Sequence, residues 1–395
     1  MSKDRLSWPV MTLTSGPVDA YPAVLRGLSR TVAYDYDPAF QLFYEDVVKK
    51  CKLAMRDADM PVILHGEPVL GLEAAAASLI TGDDVVLNLA SGEYGKGFGY
   101  WAARYAKEVV EIEVPYNEAI DPAAVDAFFK KRPDVKIVSL CHHDTPSGTL
   151  NPAREIGAIC AKHGAYLIVD AVSSFGGMDI HAGDCHADIF VTGPNKCLGS
   201  APGLTMLSVS PRAWAKMKAN PKAPRASMLS ILDWENAWSH KEPFPFTPSV
   251  AEVNGLDAAL DVYLDEGPEA VWKRHVATEQ VCRAGIKAVG LSRGVAREEI
   301  ASPTTTAVRV PEGIAEPALR AAVRDRFGVA FSSGRGQTLG KLLRIGHMGP
   351  TAHPIYAVAA LAALGGALNH LGHKCDVGAG VAAAVAAINQ QNDRS

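Results

Sequence analysis

The 395-residue sequence lacks the features that mark several large classes of protein. Its seven cysteines are scattered and form no C-x-x-C pair, which argues against a disulfide framework and against a zinc knuckle. No apolar run is long enough to span a membrane, and the N-terminal stretch MSKDRLSWPVMTL is too polar for a signal peptide. We therefore expect a cytoplasmic protein that does not enter the membrane.

The sequence also lacks a strong excess of charge of either sign. Lysine and arginine number 39 and aspartate and glutamate 43, which gives a formal net charge of -4. Such a balance gives no electrostatic reason to expect nucleic acid or an anionic membrane surface as a partner. The chain is long enough for one large domain and a smaller one, each with its own core. A small-molecule substrate fits these properties better.

Between residues 61 and 209, short runs rich in Val, Ile and Leu alternate with amphipathic stretches of helical period. This pattern predicts an α/β fold with a mainly parallel sheet covered by helices. The predicted strands cover 62–65, 85–89, 109–114, 135–141, 166–170, 189–192 and 204–209. In an open sheet of this kind, ligands bind beyond the carboxyl ends of the strands. Residues that directly follow a strand are therefore the first candidates for a site.

The second half of the chain predicts a smaller unit. A helical pattern from 252 to 290 follows a segment rich in Pro, Trp and Phe, and we expect it to leave the large domain as one helix. The small α+β unit is then predicted to contain a strand at 304–310, a helix at 318–327 and two short strands around Val329 and Leu343. Its last helix is predicted to be the Ala-rich segment 356–371. The predicted division is an N-terminal arm at 1–20, a large domain at 21–254 and a small domain at 255–395.

Two segments carry residues suited to chemistry directly after a predicted strand. In YLIVDAVSSFGG (166–177) a strand ends at Asp170, whose carboxylate either faces a cationic group or only caps the next turn. In IFVTGPNKCLGSAPGL (189–204) Lys196 follows an apolar strand inside a loop rich in Gly and Pro. Partial burial there would lower the pKa of the lysine and favour its nucleophilic amine form, whereas a solvated surface lysine would take no part in chemistry.

These two segments, in this order, resemble the Schiff-base lysine region of fold type I pyridoxal-phosphate enzymes. The resemblance is to the class V aminotransferases, which include serine–glyoxylate and alanine–glyoxylate transaminases. The segment LRIGHMG (343–349) resembles the carboxylate-binding motif of that class, and Ser15-Gly-Pro17 extends the resemblance toward the N-terminus. It implies an aspartate-aminotransferase-like fold, with a large α/β domain and a small C-terminal α+β domain.

The resemblance implies a role for each of five residues. Asp170 would pair with the protonated pyridine nitrogen of a vitamin B6 ring and keep that ring an electron sink. Lys196 would form the Schiff base and carry a proton between the amino carbon and the C4′ carbon. Arg344 would bind the substrate carboxylate through two parallel N–H donors. Tyr94 would stack on the ring, unless it is an ordinary half-buried tyrosine, and Thr145 would lie near the 3-hydroxyl side of the ring.

One position departs from the family pattern. Members that retain pyridoxal phosphate hold its phosphate at a helix N-terminus, with small hydroxyl residues and free N–H groups. Here Glu67, Pro68 and Val69 stand in those places, so the site loses an N–H donor and a hydroxyl and gains a negative charge. A carboxylate about 4 Å from one phosphate charge costs ~4 kcal/mol at an effective dielectric near 20. The alternative is that Glu67 is only a favourable first-turn carboxylate and that the phosphate binds elsewhere.

A family member with the lysine but without the phosphate site implies that pyridoxal is a substrate that binds and leaves. The resemblance then implies an enzyme with no tightly bound cofactor that acts on pyridoxamine and pyruvate in vitamin B6 degradation. Glu67 would accept a hydrogen bond from the free 5-hydroxymethyl group. Arg335, close in sequence to Arg344, is a second candidate for binding the keto acid. The family also implies a homo-oligomer, either a dimer or a tetramer of dimers.

Two other functions stay open from the sequence. The chain would be a conventional pyridoxal-phosphate-dependent alanine– or serine–glyoxylate aminotransferase if it tolerates the altered helix N-terminus. It would be a vitamin B6 carrier if it kept the lysine without turnover, although a carrier has no use for Arg344. No metal site is expected, since His142 and His143 are adjacent and no third ligand has a fitting spacing. The GKGFGY and SSGRGQTLG stretches are too irregular for a dinucleotide fingerprint.

Overall fold

The computed structural model describes residues 8–393. Residues 1–7 of the predicted N-terminal arm therefore lie outside the described part. The strands, numbered along the chain, are β1 (Met11–Thr12), β2 (Val62–Leu64), β3 (Val85–Ser91), β4 (Glu108–Val114), β5 (Val135–Cys141), β6 (His143–Asp144), β7 (Thr149–Leu150), β8 (Tyr166–Asp170), β9 (Ile189–Thr192), β10 (Thr205–Val209), β11 (Thr305–Arg309), β12 (Val329–Ala330), β13 (Ser332–Ser333) and β14 (Leu342–Gly346).

The α-helices fill most of the intervening chain. They are α1 (Pro22–Leu28), α2 (Pro38–Met55), α3 (Pro68–Leu79), α4 (Gly92–Ala102), α5 (Pro122–Lys131), α6 (Ala153–Lys162), α7 (Pro211–Ala219), α8 (Val250–Glu266), α9 (Pro268–Ala288), α10 (Glu316–Phe327), α11 (Pro354–His370) and α12 (Val377–Asn392). A proline stands at the first turn of many of them, where its missing N–H leaves no intrahelical bond unmade.

Seven strands form the main sheet in the order β2–β10–β9–β8–β5–β3–β4. Neighbours from β9 to β4 pair in parallel, and β10 runs antiparallel to both β9 and β2. The residues of β3 are buried along its whole length, as expected for a strand covered on both faces. The predicted strands of the α/β unit are confirmed, with ends that differ by one or two residues. The mainly parallel sheet is likewise confirmed.

Helices pack directly on this sheet and bring their N-termini to its carboxyl edge. α3 contacts β9 and β10, α4 contacts β3, and α6 contacts β8. A large apolar core joins the buried faces of the strands and helices and extends to α8 through Leu256 and Leu260. Because a parallel strand is followed by a helix running back across the sheet, the residues between the two elements gather at one edge. That edge carries the site described below.

A second, smaller unit follows α8. Its three-stranded antiparallel sheet has the order β11–β14–β13, and β12 pairs in parallel with β1 near the N-terminus. Helices α9 to α12 pack around a separate apolar core that includes Val281, Ile345 and Leu364. The boundary at 254/255 stays a prediction, and α8 crosses it.

Two helix predictions in this region are wrong. The pattern from 252 to 290 is not one helix but the pair α8 and α9, because Gly267 has a φ of 86° and Pro268 begins the second helix. The helix at 356–371 is not the last, because α12 follows it and packs on α9. The segment of α12 is rich in Ala and Gly and carries few large apolar residues, which weakens its periodic signal. Among residues 8–393 no helix has both the length and the apolarity needed to cross a membrane.

Candidate active site

The carboxyl ends of β5, β8 and β9 define the floor of the candidate site. Cys141 lies opposite Asp170 in the register of β5 and β8, and Asp170 lies opposite Val191 on β9. A small cavity beside Asp170 is lined by Cys141, Leu72, Tyr94 and Phe98 among other residues. The two strands whose following residues were singled out from the sequence are therefore neighbours in the sheet.

Asp170 ends β8 with its carboxylate at the sheet edge. One of its oxygens, Oδ1, accepts a hydrogen bond of 3.0 Å from the backbone N–H of Val172. Burial raises the pKa of Asp170 to about 6, while the Val172 N–H and the charge of Lys196 act in the opposite direction. A cation placed against this carboxylate would hold it ionised, because an opposite charge favours the charged form.

Lys196 stands four residues beyond the end of β9, after the turn Gly193-Pro194-Asn195. Its Nζ donates a hydrogen bond of 2.6 Å to the backbone carbonyl of Ser15. Burial, followed by the charge of Arg344, lowers the pKa of the lysine to about 8. The direction agrees with the shift expected from its position, so the amine form is reached near neutral pH.

Tyr94 lies on the first turn of α4, and a buried carboxylate fixes that turn. Asp144 accepts hydrogen bonds from the backbone N–H of Tyr94 at 2.9 Å and of Glu93 at 3.2 Å. These N–H groups belong to the first turn, which has no intrahelical partners for them. Burial raises the pKa of Asp144 to about 7. The sequence analysis named the neighbouring residues His143 and Thr145 but did not identify Asp144.

Arg344 reaches the same site from β14 of the small unit. Its Nε donates to the carbonyl of Ser333 at 2.7 Å, and its Nη1 donates to Oγ1 of Thr145 at 2.9 Å. Its side chain is buried, and burial lowers the pKa of the guanidinium. Arg335 is exposed, and its guanidinium lies 5.6 Å from the centre of the Tyr94 ring. The structure thus brings Tyr94, Thr145, Arg335 and Arg344 together.

Glu67 and Pro68 form the N-terminus of α3 next to the lysine loop. Glu67 is the N-cap residue, its side chain makes no capping hydrogen bond, and Pro68 begins the helix without an N–H. A side chain on Gly193 would come within 2.4 Å of the Pro68 ring, so the two segments are in close contact. The negative charge of Glu67 acts on Lys196 and on Asp170, raising the pKa of each. Glu67 therefore belongs to the electrostatic surroundings of the site.

This helix N-terminus does not fit a phosphate group. An anion site needs free N–H donors and a positive or neutral neighbourhood. Pro68 removes one donor, and Glu67 contributes a carboxylate that is exposed at this end of the helix. The remainder of the site has Asp170 at the end of β8, Lys196 in the loop after β9, and Tyr94 in the lining of the small cavity beside Asp170.

His142 and His143 are buried and take part in the packing of the loop. Burial lowers the pKa of His142 to about 3 and that of His143 to about 4. Nδ1 of His143 lies 3.0 Å from the carbonyl of Ser173, and neither histidine belongs to a potential metal cluster among residues 8–393. The one such group there combines Asp179, His181 and Asp184, and Arg154 pairs with both of its carboxylates.

The fold and this site define the class of protein. Residues 100–348 match the model of the family described as aminotransferase class-V. The chain belongs to the class V aminotransferases, a family of enzymes that use pyridoxal phosphate. It is an aminotransferase, as the resemblance in the sequence implied.

Individual members of the family can also be compared with this chain. The chain is 71% identical over 381 residues to a pyridoxamine–pyruvate transaminase of Mesorhizobium japonicum, covering 96% of this chain and 97% of the relative. The crystal structure of pyridoxamine–pyruvate aminotransferase from Mesorhizobium loti superposes with a TM-score of 0.97 at 70% identity, covering 99% of this chain and all of that one. A ureidoglycine–glyoxylate aminotransferase from Bacillus subtilis has a TM-score of 0.92 at 28% identity, covering 98% of this chain and all of its own.

Proposed function

We propose that this enzyme transfers the amino group of pyridoxamine to pyruvate and releases pyridoxal and L-alanine, as one step of vitamin B6 breakdown. The observation that carries the proposal is the N-terminus of α3, where Glu67 and Pro68 stand in place of a phosphate site, next to the loop that carries Lys196. The 71% identity to a pyridoxamine–pyruvate transaminase supports the same substrates. No tightly bound cofactor is then needed, because the vitamin itself is consumed and released.

In this proposal each charged residue has a distinct task toward the substrates. Asp170 holds the pyridine nitrogen protonated, and Tyr94 stacks on the ring face. Glu67 accepts a hydrogen bond from the 5-hydroxymethyl group of pyridoxamine. Lys196 forms the Schiff base with pyridoxal and moves a proton from the C4′ carbon of pyridoxamine to the C2 carbon that becomes the alanine α-carbon. A lysine whose pKa is about 8 is suited to this work, since it exchanges protons near neutral pH.

Arg344 binds the carboxylate of pyruvate in the proposed complex. Its Nε and Nη1 are already held by Ser333 and Thr145, so the guanidinium is fixed before the substrate arrives. A fixed guanidinium offers the remaining N–H groups as a pair of donors, and little side-chain entropy is lost on binding. Arg335 over the Tyr94 ring supplies a second cation at the open side of the site.

We also propose that copies of the chain associate in a reducing cytoplasm, as a dimer or as a tetramer made of two dimers. Large apolar side chains are exposed on α1, α2 and their connection, and one more on each of α3 and α4: Leu25, Val32, Tyr34, Tyr36, Leu42, Val69 and Tyr100. Exposed apolar side chains that follow one another closely, as those of residues 25–42 do along the chain, are typical of a surface that another protein covers. Light scattering should give twice or four times the mass of one chain, and a monomer at micromolar concentration would contradict this.

Replacing Glu67 by serine should admit the phosphate ester of pyridoxamine. The change removes a like charge and supplies a hydroxyl, so we expect pyridoxamine 5′-phosphate to bind at least about tenfold more tightly, or ~1.4 kcal/mol. Glu73→Ser is the matched control, because it removes a carboxylate from the same helix that instead pairs with Arg104 at 2.7 Å. Titration of each variant with pyridoxamine and with pyridoxamine 5′-phosphate, followed by protein fluorescence, measures the two dissociation constants. Unchanged affinity for the ester in Glu67→Ser would return the chain to the conventional phosphate-dependent group.

Replacing Arg344 by lysine should separate the two substrates. Lysine keeps the charge but loses the planar pair of donors, so KM for pyruvate should rise by about tenfold or more while KM for pyridoxamine changes by less than about threefold. Arg309→Lys serves as the control, because Arg309 lies on the adjacent strand and its guanidinium donates to backbone carbonyls at Arg293 and Gly294. Steady-state kinetics with each substrate varied in turn checks this. Equal rises for both substrates would contradict the role given to Arg344.

A further inference from the structure

The segment that precedes α1 reaches into the site and contacts the reactive lysine. We call residues 10–17 the strap. The carbonyl of Ser15 on the strap accepts the 2.6 Å hydrogen bond from Nζ of Lys196, although the two residues are 181 positions apart. The adjoining Gly16 has a φ of +122°, and a Cβ built on it would lie 1.9 Å from Nζ. Only glycine therefore leaves room for the end of the lysine at this position.

The strap is held by the small unit rather than by the large sheet. β1 pairs in parallel with β12, the N–H of Leu13 donates to Ala330, and the N–H of Gly346 donates to the carbonyl of Leu13. Closer to the lysine, the N–H of Ser15 donates to Oγ of Ser332 at 3.0 Å. These anchors lie on β12, β13 and β14, and β14 also carries Arg344. The carbonyl that meets the lysine is thus fixed by the part of the chain that binds the keto acid.

The Ser15 carbonyl affects the balance between the ammonium and amine forms of Lys196, as do the charges around the lysine. Burial and Arg344 favour the neutral amine, whereas the carboxylates of Asp170 and Glu67 favour the ammonium. No carboxylate forms a salt bridge with Nζ among the described residues, and the Ser15 carbonyl is the hydrogen-bond partner found for it. A carbonyl oxygen stabilises an ammonium more than an amine, because the bond to a charged donor is stronger.

We propose that the strap is a positioning element that holds the free Lys196 ammonium between turnovers through the Ser15 carbonyl. The inference rests on the proposed function, in which pyridoxal leaves and the lysine returns to the free form in every cycle.

Formation of the Schiff base must release this contact. The ammonium first gives one proton to solvent, and the amine nitrogen then forms a C=N bond with the aldehyde carbon of pyridoxal. The aldehyde oxygen leaves as water together with the two remaining nitrogen protons. The hydrogen bond to Ser15 therefore favours the state before reaction and sets part of the pH at which the lysine becomes reactive.

Ser332→Ala tests the strap without altering the lysine, Arg344 or the Ser15 carbonyl itself. The change removes the Oγ acceptor of the Ser15 N–H and loosens the carbonyl. The measurement is the absorbance of the Schiff base formed with free pyridoxal as a function of pH. We expect a midpoint near 8 for the parent enzyme, a midpoint lower by about half a pH unit in Ser332→Ala, and recovery in Ser332→Thr, which keeps the hydroxyl.

Two further measurements distinguish an effect of the strap on Lys196 from a general loss of structure. KM for pyruvate should stay within about twofold in Ser332→Ala, because Nε of Arg344 binds the backbone carbonyl of Ser333 and not the Ser332 side chain. Gly16→Ala, with its fold checked by circular dichroism, should lower the midpoint at least as far. An unchanged midpoint in both variants, or an equal shift in Ser332→Thr, would overturn the role of the strap. Pyridoxal phosphate retained by the purified parent enzyme would instead overturn the proposed function, and it is seen in the spectrum before pyridoxal is added.

Discussion

The burial of one lysine at the carboxyl edge of the sheet is the constraint on which the rest of the site depends. Lys196 follows β9, and β8, which ends at Asp170, is the next strand of the sheet. Burying an ammonium is costly unless its surroundings compensate, and here burial lowers its pKa to about 8. The parallel pairing of β8 and β9 is what places an acid and an amine at one edge. The small unit then adds Arg344 and anchors the strap, which carries the Ser15 carbonyl.

The substitution at α3 can be understood as a matter of charge balance. The site holds three cations, Lys196, Arg344 and Arg335, and a phosphate would normally supply negative charge at the helix N-terminus. In this chain Glu67 supplies part of that charge covalently, and its carboxylate acts on both Lys196 and Asp170. In our account the family's fold and ring-binding residues are kept, while the means of retaining the vitamin is lost. In the proposed function, pyridoxal is then a substrate and not a cofactor.

Much of the secondary structure was predictable from the sequence, and the reason differs from one element to another. The strands Val135–Cys141 and Tyr166–Asp170 were predicted to the residue, because each is a short run of mostly apolar residues, as expected for a strand covered on both faces. The break at Gly267 was missed although a Gly-Pro pair is a common break signal, because the helical pattern continues on both sides of it. The helix α12 was missed because its Ala-rich segment gives a weak periodic signal.

Some contacts of the site have no local signal in the sequence. The Ser15 carbonyl meets Lys196, and Asp144 caps the helix that carries Tyr94, through backbone groups whose partners lie 181 and 50 positions away. Every residue has a backbone carbonyl, so the sequence does not indicate which carbonyl contacts the lysine. Asp144 stands directly beside Thr145, and this position next to a candidate site residue was the one signal available for it in the sequence.

The central claim is that pyridoxal is a substrate and not a resident cofactor, and the kinetic order tests it most directly. If pyridoxamine and pyruvate must both be bound before the first product leaves, initial rates at several fixed concentrations of one substrate should give double-reciprocal lines that intersect. A resident cofactor would store the amino group between two half-reactions, with one product leaving before the second substrate arrives. Parallel double-reciprocal lines would therefore contradict the account.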